Sequence, residues 1–234
     1  MAEIEPLYDK KCSCILCGKQ YTSKKIRSRF VKTTSIDTDF APVYADPENN
    51  PALYYVYVCP HCGFSSTEEF SPFFPPGTKE ELQDKVCSHW RPHDYSSKRN
   101  IMTAIQTLKL GAFCASLKKE KHIVTGGLYI RTAWLHRSLG DKTQEHRFLS
   151  LACGEYANSY SKGDFKGSQV SETRILYLLG ELSHRLGKHQ DAVRYFSKVI
   201  ENQKQSLEPT IVRMAKNRWH EIREDEKAAL PRQD

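Results

Sequence analysis

Two short stretches carry the most specific chemistry in this sequence: Cys14-Ile15-Leu16-Cys17-Gly18 and Cys59-Pro60-His61-Cys62-Gly63. Each has the form C-x-x-C-G, in which one tight turn offers two thiolates and the glycine permits left-handed backbone just after the second sulfur. Two such pairs supply four soft ligands, the set that suits one tetrahedral metal ion. The expected ligands are therefore Cys14, Cys17, Cys59 and Cys62, and the expected cofactor is a single structural Zn2+. The 41 residues between Cys17 and Cys59 exceed the roughly 15–20 of compact four-cysteine sites, which points to an elaborated zinc ribbon. Iron would accept the same ligands, and C-x-x-C also serves thiol exchange. Redox pairs, however, normally open a helix in a βαβ setting; here one pair precedes a polar strand and the other closes a strand. A catalytic zinc keeps an open position for water, and four thiolates leave none.

The remaining cysteines read differently. Cys12 and Cys14 enclose one residue, too few for such a turn, so Cys12 is expected to be a bystander. Cys87, His89 and His93 form a looser C-x-H-x3-H cluster interrupted by Pro92, read as surface or linker, with a second metal site left open. Cys114 and Cys153 lie in apolar helical stretches and read as core. No phosphate-cradling loop, dinucleotide fingerprint, nucleophile elbow or H-E-x-x-H motif is present, so no catalytic constellation is found and a non-enzymatic role is expected. Asp37-Thr38-Asp39-Phe40 brings two carboxylates close together but reads as a turn cap.

The 234 residues carry a net charge of +7, with 27% charged and 39% hydrophobic residues, enough apolar content for real cores under a polar surface. Neither a signal-like apolar segment nor a run approaching the ~18 residues of a membrane span occurs. Together with the paired cysteines this leads to the expectation of a cytoplasmic protein in a reducing compartment, with no membrane partner. From Lys10 to Lys32 there are eight basic residues and no acidic one. Lys24, Lys25, Arg27, Arg29 and Lys32, interleaved with Tyr21 and Phe30, could pair with phosphates and stack on bases, making nucleic acid the alternative partner.

The elements that must position these residues fall into an α+β, mainly α, chain. Residues 1–76 read as the zinc-ribbon-like β unit, with strands expected over Ile26–Thr34 and Leu53–Val58. Residues 77–95 read as a short helix and linker after the proline-rich SPFFPPG, with Thr78 and Glu81 at the spacing of a capping box. Residues 96–234 read as helical throughout: Ser97–Leu117, Ile123–Leu139 stopped by Gly140, a helix capped by Asp141, Val170–Leu186 stopped by Gly187, His189–Gln203, and a last helix opened by Pro209.

Ser138-Leu139-Gly140-Asp141-Lys142 and Arg185-Leu186-Gly187-Lys188-His189 end two helices alike, at an offset of 47 residues. The second hairpin carries Leu176, Leu179-Gly180, Ala192 and Phe196, the tetratricopeptide pattern, in which small residues let two helices approach and large ones fill the space around them. In the first, Tyr129, Thr132, Ala133, Glu145 and Leu149 take these places, and Glu145 breaks the pattern. The register turns Trp134, Arg137, Arg174, Tyr177, Glu181 and Arg185 towards the inner groove, where aromatic and arginine side chains would hold a protein or peptide partner.

Several motifs in order, namely YDKK with C-x-x-CG, Asp37 to Phe40, YYVYVCPHCGF from Tyr54 to Phe64, Ala133-Trp134-Leu135-His136-Arg137 and Tyr177-Leu178-Leu179-Gly180-Glu181-Leu182, resemble a bacterial family known as domain of unknown function 2225. The resemblance runs from about Leu7 to Trp219 and implies a metal-binding ribbon joined to tetratricopeptide-like helices, with no assigned reaction. The sequence departs from the usual pattern in having Cys12 and in lacking proline after Cys14, and neither removes a ligand. The function expected is a non-catalytic adaptor in which a structural zinc ribbon is joined to a helical array that binds a protein or peptide.

Overall fold

A computed structural model describes residues 4–229. The N-terminal part is built from three separate two-stranded antiparallel ribbons. β1 (Leu7–Ser13) pairs with β2 (Gln20–Ile26) from Leu7 opposite Ile26 to Ser13 opposite Gln20. β3 (Thr33–Ile36) pairs with β4 (Pro42–Tyr44), and β5 (Tyr57–Val58) with β6 (Ser65–Ser66). Two-stranded ribbons are marginal on their own in water, so this part depends on whatever fastens the three together.

Both long strands expected here are broken, for local reasons. Over Leu53–Val58 only Tyr57 and Val58 are extended; Pro51–Tyr54 form a 3-10 turn that the Asn50 side chain caps by accepting from the Ala52 amide at 2.9 Å. Proline fixes the first φ of that turn, and Leu53, Tyr54, Val56 and Val58 are all buried, a pattern that strand alternation does not give. Ile26–Thr34 likewise turns a corner through a 3-10 turn at Ser28–Phe30, which lets Phe30 and Val31 pack against the core.

Among the described residues seven α-helices follow. α1 (Thr78–Leu82) passes into a π-helical turn to Cys87. The capping box does not form, because Gly77 enters the helix at φ 80. That places Thr78 inside the first turn, where its hydroxyl donates back to the Pro75 carbonyl at 2.7 Å. The six longer helices are α2 (Ile101–Lys118), α3 (His122–Ser138), α4 (Lys142–Lys162), α5 (Glu172–Arg185), α6 (His189–Glu201) and α7 (Pro209–Ala229). Asn100, Asp141 and Ser171 cap three of them, each side chain accepting from the amide three residues on, which satisfies one of the free donors at a helix start.

The helices pack as consecutive hairpins. Between α5 and α6 the approach is closest: a Cβ on Gly180 would lie 2.7 Å from the Phe196 ring, and Ala192 is fully buried. Between α3 and α4, Gly126 plays a similar part against Tyr156 at 3.0 Å. One apolar cluster runs without a break from Cys14, Val58 and Phe64 through α2 and α3 to Leu182 of α5, so packing does not stop at residue 76. The proline-rich segment is also tied down. The buried Lys118 ammonium donates to the Phe73 carbonyl and to Glu120, both at 2.6 Å, and Glu120 accepts from the Ser71 amide.

Candidate metal centre

The four cysteines meet at the tips of two hairpins. Cys14 to Lys19 close the β1–β2 tip and Cys59 to Phe64 the β5–β6 tip, and the two turns repeat the same bonds. The amide of Cys14 donates to Lys19 at 3.0 Å and that of Gly18 to Cys14 at 2.8 Å; the amide of Cys59 donates to Phe64 at 3.0 Å and that of Gly63 to Cys59 at 2.9 Å. Gly18 and Gly63 have φ of 73 and 74, the left-handed backbone that only glycine takes without strain.

Across the tips, Cys14 Sγ lies 3.7 Å from Cys62 Sγ and Cys17 Sγ 3.7 Å from Cys59 Sγ, and all four ligand atoms fall within 4.8 Å of one another. A disulfide needs about 2.05 Å, so these are free thiols. A tetrahedron with metal–sulfur bonds of about 2.3 Å has edges of about 3.8 Å. The donor set therefore fits one ion held by four sulfurs. The sulfur contact with Cys62 pulls the Cys14 pKa down, and the same contact pushes that of Cys62 up. Burial raises Cys59 to about 11. A metal takes cysteine as thiolate, so filling the site would be coupled to proton release.

The surroundings hold the second tip in place. Trp90 lies flat against Gly63, so that a Cβ there would sit 2.5 Å from the indole, and its Nε1 donates to the Pro60 carbonyl at 2.9 Å. Cys12 stays outside the cluster, in β1 opposite Tyr21, and burial pushes its thiol pKa up. Among the described residues no second group of metal-ligating side chains forms: His89 and His93 are exposed, and the His93 ring packs on Tyr95 with centroids 4.5 Å apart. Cys114 is core, as expected, and its sulfur accepts from the Ser65 amide at 3.4 Å.

The six inner-groove residues also converge, and what they hold is a segment of the same chain. Arg137 pairs with Asp37 at 2.8 Å, with Asp39 at 2.6 Å and with Glu145 at 2.6 Å. Arg185 pairs with Asp37 at 2.9 Å and with Glu181 at 2.8 Å. The Trp134 indole donates to Asp39 at 3.1 Å, and the Thr38 hydroxyl to Glu181 at 2.6 Å. Phe40, at φ 65, lies between Tyr177, with centroids 5.3 Å apart, and the Arg174 guanidinium at 4.7 Å. Tyr177 and Glu181 are fully buried beneath this segment. Asp37 to Phe40 do form a turn, with the Thr38 amide donating to Asp37 at 2.7 Å, and that turn is the plug of the groove. Glu145, which breaks the repeat pattern, earns its place by completing the carboxylate ring around Arg137.

Burial raises the Asp37 pKa, but the Thr38 amide, Arg185 and Arg137 together outweigh it and leave the carboxyl below its usual range. For Arg137, Asp39 and Glu145 outweigh desolvation and leave it firmly charged. A further fastening has no sequence signature. Arg99, only 3% exposed, donates to the backbone carbonyls of Val56 at 2.9 Å, Leu53 at 3.2 Å and Tyr95 at 3.0 Å. It meets no carboxylate among the described residues, and the carbonyl dipoles replace its water.

The basic strip is partly neutralised within the molecule. Lys24 pairs with Asp9 at 2.7 Å and Lys25 with Glu68 at 2.8 Å. The Arg27 guanidinium lies over Tyr8 and that of Arg29 over Phe30, at 5.0 and 4.7 Å from the ring centres. Among the described residues no helix is long and apolar enough to cross a membrane.

No curated protein and no solved structure matches this chain. A family described as an uncharacterized protein conserved in bacteria, DUF2225, matches residues 7–222, a span that takes in both cysteine tips, the Asp37 to Phe40 plug and the helices that receive it. The chain belongs to the DUF2225 family.

Proposed function

We propose that the protein is a non-catalytic adaptor: a unit clamped by one structural Zn2+, docked on a tetratricopeptide-like helical array that takes an extended protein segment along its inner face. The observation that supports this most is the plug itself. Two carboxylates on the arginines and a phenyl ring between Tyr177 and Arg174 are how such a face would hold a peptide in trans. Four cysteine ligands would leave no coordination position for water, which supports a structural role for the metal. The test is crosslinking and affinity recovery of the tagged protein from its native cell, beside an Arg174→Glu variant with unchanged circular dichroism. Recovery of a defined partner that Arg174→Glu weakens at least tenfold supports the reading; equal recovery by both proteins contradicts it.

The alternative, nucleic-acid binding through Lys24, Lys25, Arg27, Arg29 and Lys32, has less support, because the carboxylates of Asp9 and Glu68 already occupy two of these cations. Binding of RNA or DNA that falls steeply with salt would favour it.

A further inference from the structure

The groove is not filled along its whole length. Beyond Asp39 and Phe40 it opens into a cavity of about 630 Å³, closed by Phe70 to Pro72 on one side, by α3 and α5 on the floor and by the turn at Gly167 to Val170 on the other. That volume lies within the ~300–1,000 Å³ of small-molecule sites. Its walls are mostly apolar and include Phe70, Ile130, Trp134, Tyr156 and Leu178.

Three acidic and three basic side chains line it. Three of the lining ions have partners of their own: Arg174 with Glu208 at 3.3 Å, Asp39 with Arg137 at 2.6 Å and Glu120 with Lys118 at 2.6 Å. Lys121, Arg131 and Glu69 also line the cavity and have no ion-pair partner among the described residues.

Arg131 is the cation that is held in place. Its guanidinium lies over the Tyr55 ring at 3.9 Å and donates back to the Gly127 carbonyl at 2.8 Å. Gly127 makes this possible, since a Cβ there would stand 3.1 Å from Arg131 Nη1. The same Cβ position is 4.0 Å from the buried Tyr55 hydroxyl. An arginine with no carboxylate within 4.0 Å among the described residues, lying over an aromatic ring at the edge of the cavity, is prepared for a bidentate anion.

We propose that this cavity binds a small monocarboxylate with an aromatic or aliphatic body, its carboxylate on Arg131 and its body between Trp134, Phe70 and Leu178. The inference goes beyond the adaptor reading, because such a ligand needs no protein partner. The experiment is a titration of the metal-loaded, 15N-labelled full chain with 4-phenylbutyrate, and separately with the neutral 4-phenyl-1-butanol. For a ligand of this size a Kd on the order of 1 mM is expected, with saturable shifts of the Gly127 amide and the Trp134 indole N–H. Arg131→Met and the neutral alcohol should each weaken binding at least tenfold, and Leu178→Trp, which fills the cavity, should abolish it. Absence of saturable shifts at ten times that concentration, equal affinity for acid and alcohol, or unchanged binding by either variant would overturn the proposal. If Arg131→Met fails to fold, the comparison of acid with alcohol on the unaltered chain decides.

Discussion

Cys14 and Cys17 meet Cys59 and Cys62 through sulfur alone, at two hairpin tips that share the same backbone bonds. Asp37 and Asp39 meet Arg137 and Arg185 through charge and hydrogen bonds, on a turn whose ring, Phe40, is stacked into the helices. Both fasten the N-terminal ribbons, yet they differ in kind. The cysteine cluster brings ribbon to ribbon and would draw its energy from an ion; the carboxylate plug ties ribbon to helix and draws its energy from pairs already in place. A metal site of this type is all or none, because removing one ligand opens the tetrahedron. The plug is distributed, so one substitution should loosen it without dissolving the unit.

The largest effect should therefore come from the cysteines. Structural zinc contributes roughly 10–16 kcal/mol in small zinc-dependent folds, more than the margin by which most domains are stable. Cys14→Ser should lose the ion and the dispersed amide resonances of the β1–β2 and β5–β6 tips while the helical signal persists. If the tips stay ordered without metal, the supposed difference between the two fastenings is wrong. Next comes the plug. Arg137→Ala leaves the fully buried Asp39 without its closest cation, a loss of about 3–5 kcal/mol for a broken buried pair. Chemical denaturation should record that loss, and metal content should stay unchanged; loss of the ion would mean that the two fastenings are one.

A smaller effect separates the two tips from each other. Gly18→Ala meets open space, so only the left-handed φ of 73 is penalised, by about 1–2 kcal/mol. Gly63→Ala also drives a methyl into Trp90, adding about 1–3 kcal/mol of overpacking. Equal destabilisation would show that Trp90 moves aside freely. Smallest is an acid effect on the plug. Asp37 has a folded pKa below its unfolded 3.8, so its contribution is fully present above 3.8 and is lost as pH falls through the folded value. Between pH 5 and 2 the resonance of the Thr38 amide, which donates to Asp37 at 2.7 Å, should shift in the native protein and shift less in Asp37→Asn.

Much of this was open to reading from the sequence, unevenly and for physical reasons. The clustering of Cys14, Cys17, Cys59 and Cys62 was legible because a tight turn bearing two thiols has a fixed spacing and a fixed need for glycine, and the spacing of Cys12 set it apart from that cluster. The helices were legible through periodicity and through Asp141, Gly140, Gly187 and Pro209 at their ends. Gly180 and Phe196 were legible because close helix packing demands a small residue opposite a large one. The strands were not: Asn50-Pro51 and the corner at Ser28 override β propensity by local capping and burial. Both halves of the plug were in view, Asp37 to Phe40 as a turn and the arginines as a groove, but complementarity across about a hundred residues leaves no spacing to count. Arg99 and Trp90 left no signal either, since their partners are backbone carbonyls and a glycine face.

The central claim is that four cysteines, and not Cys12, hold one ion that closes the N-terminal unit. Elemental analysis of the fully reduced protein tests it most directly, performed on the unaltered chain, Cys12→Ser and Cys14→Ser together. The account predicts about one equivalent of tightly bound metal in the first two and none in the third. Well under one equivalent in the unaltered chain, or loss of the ion in Cys12→Ser, would contradict it.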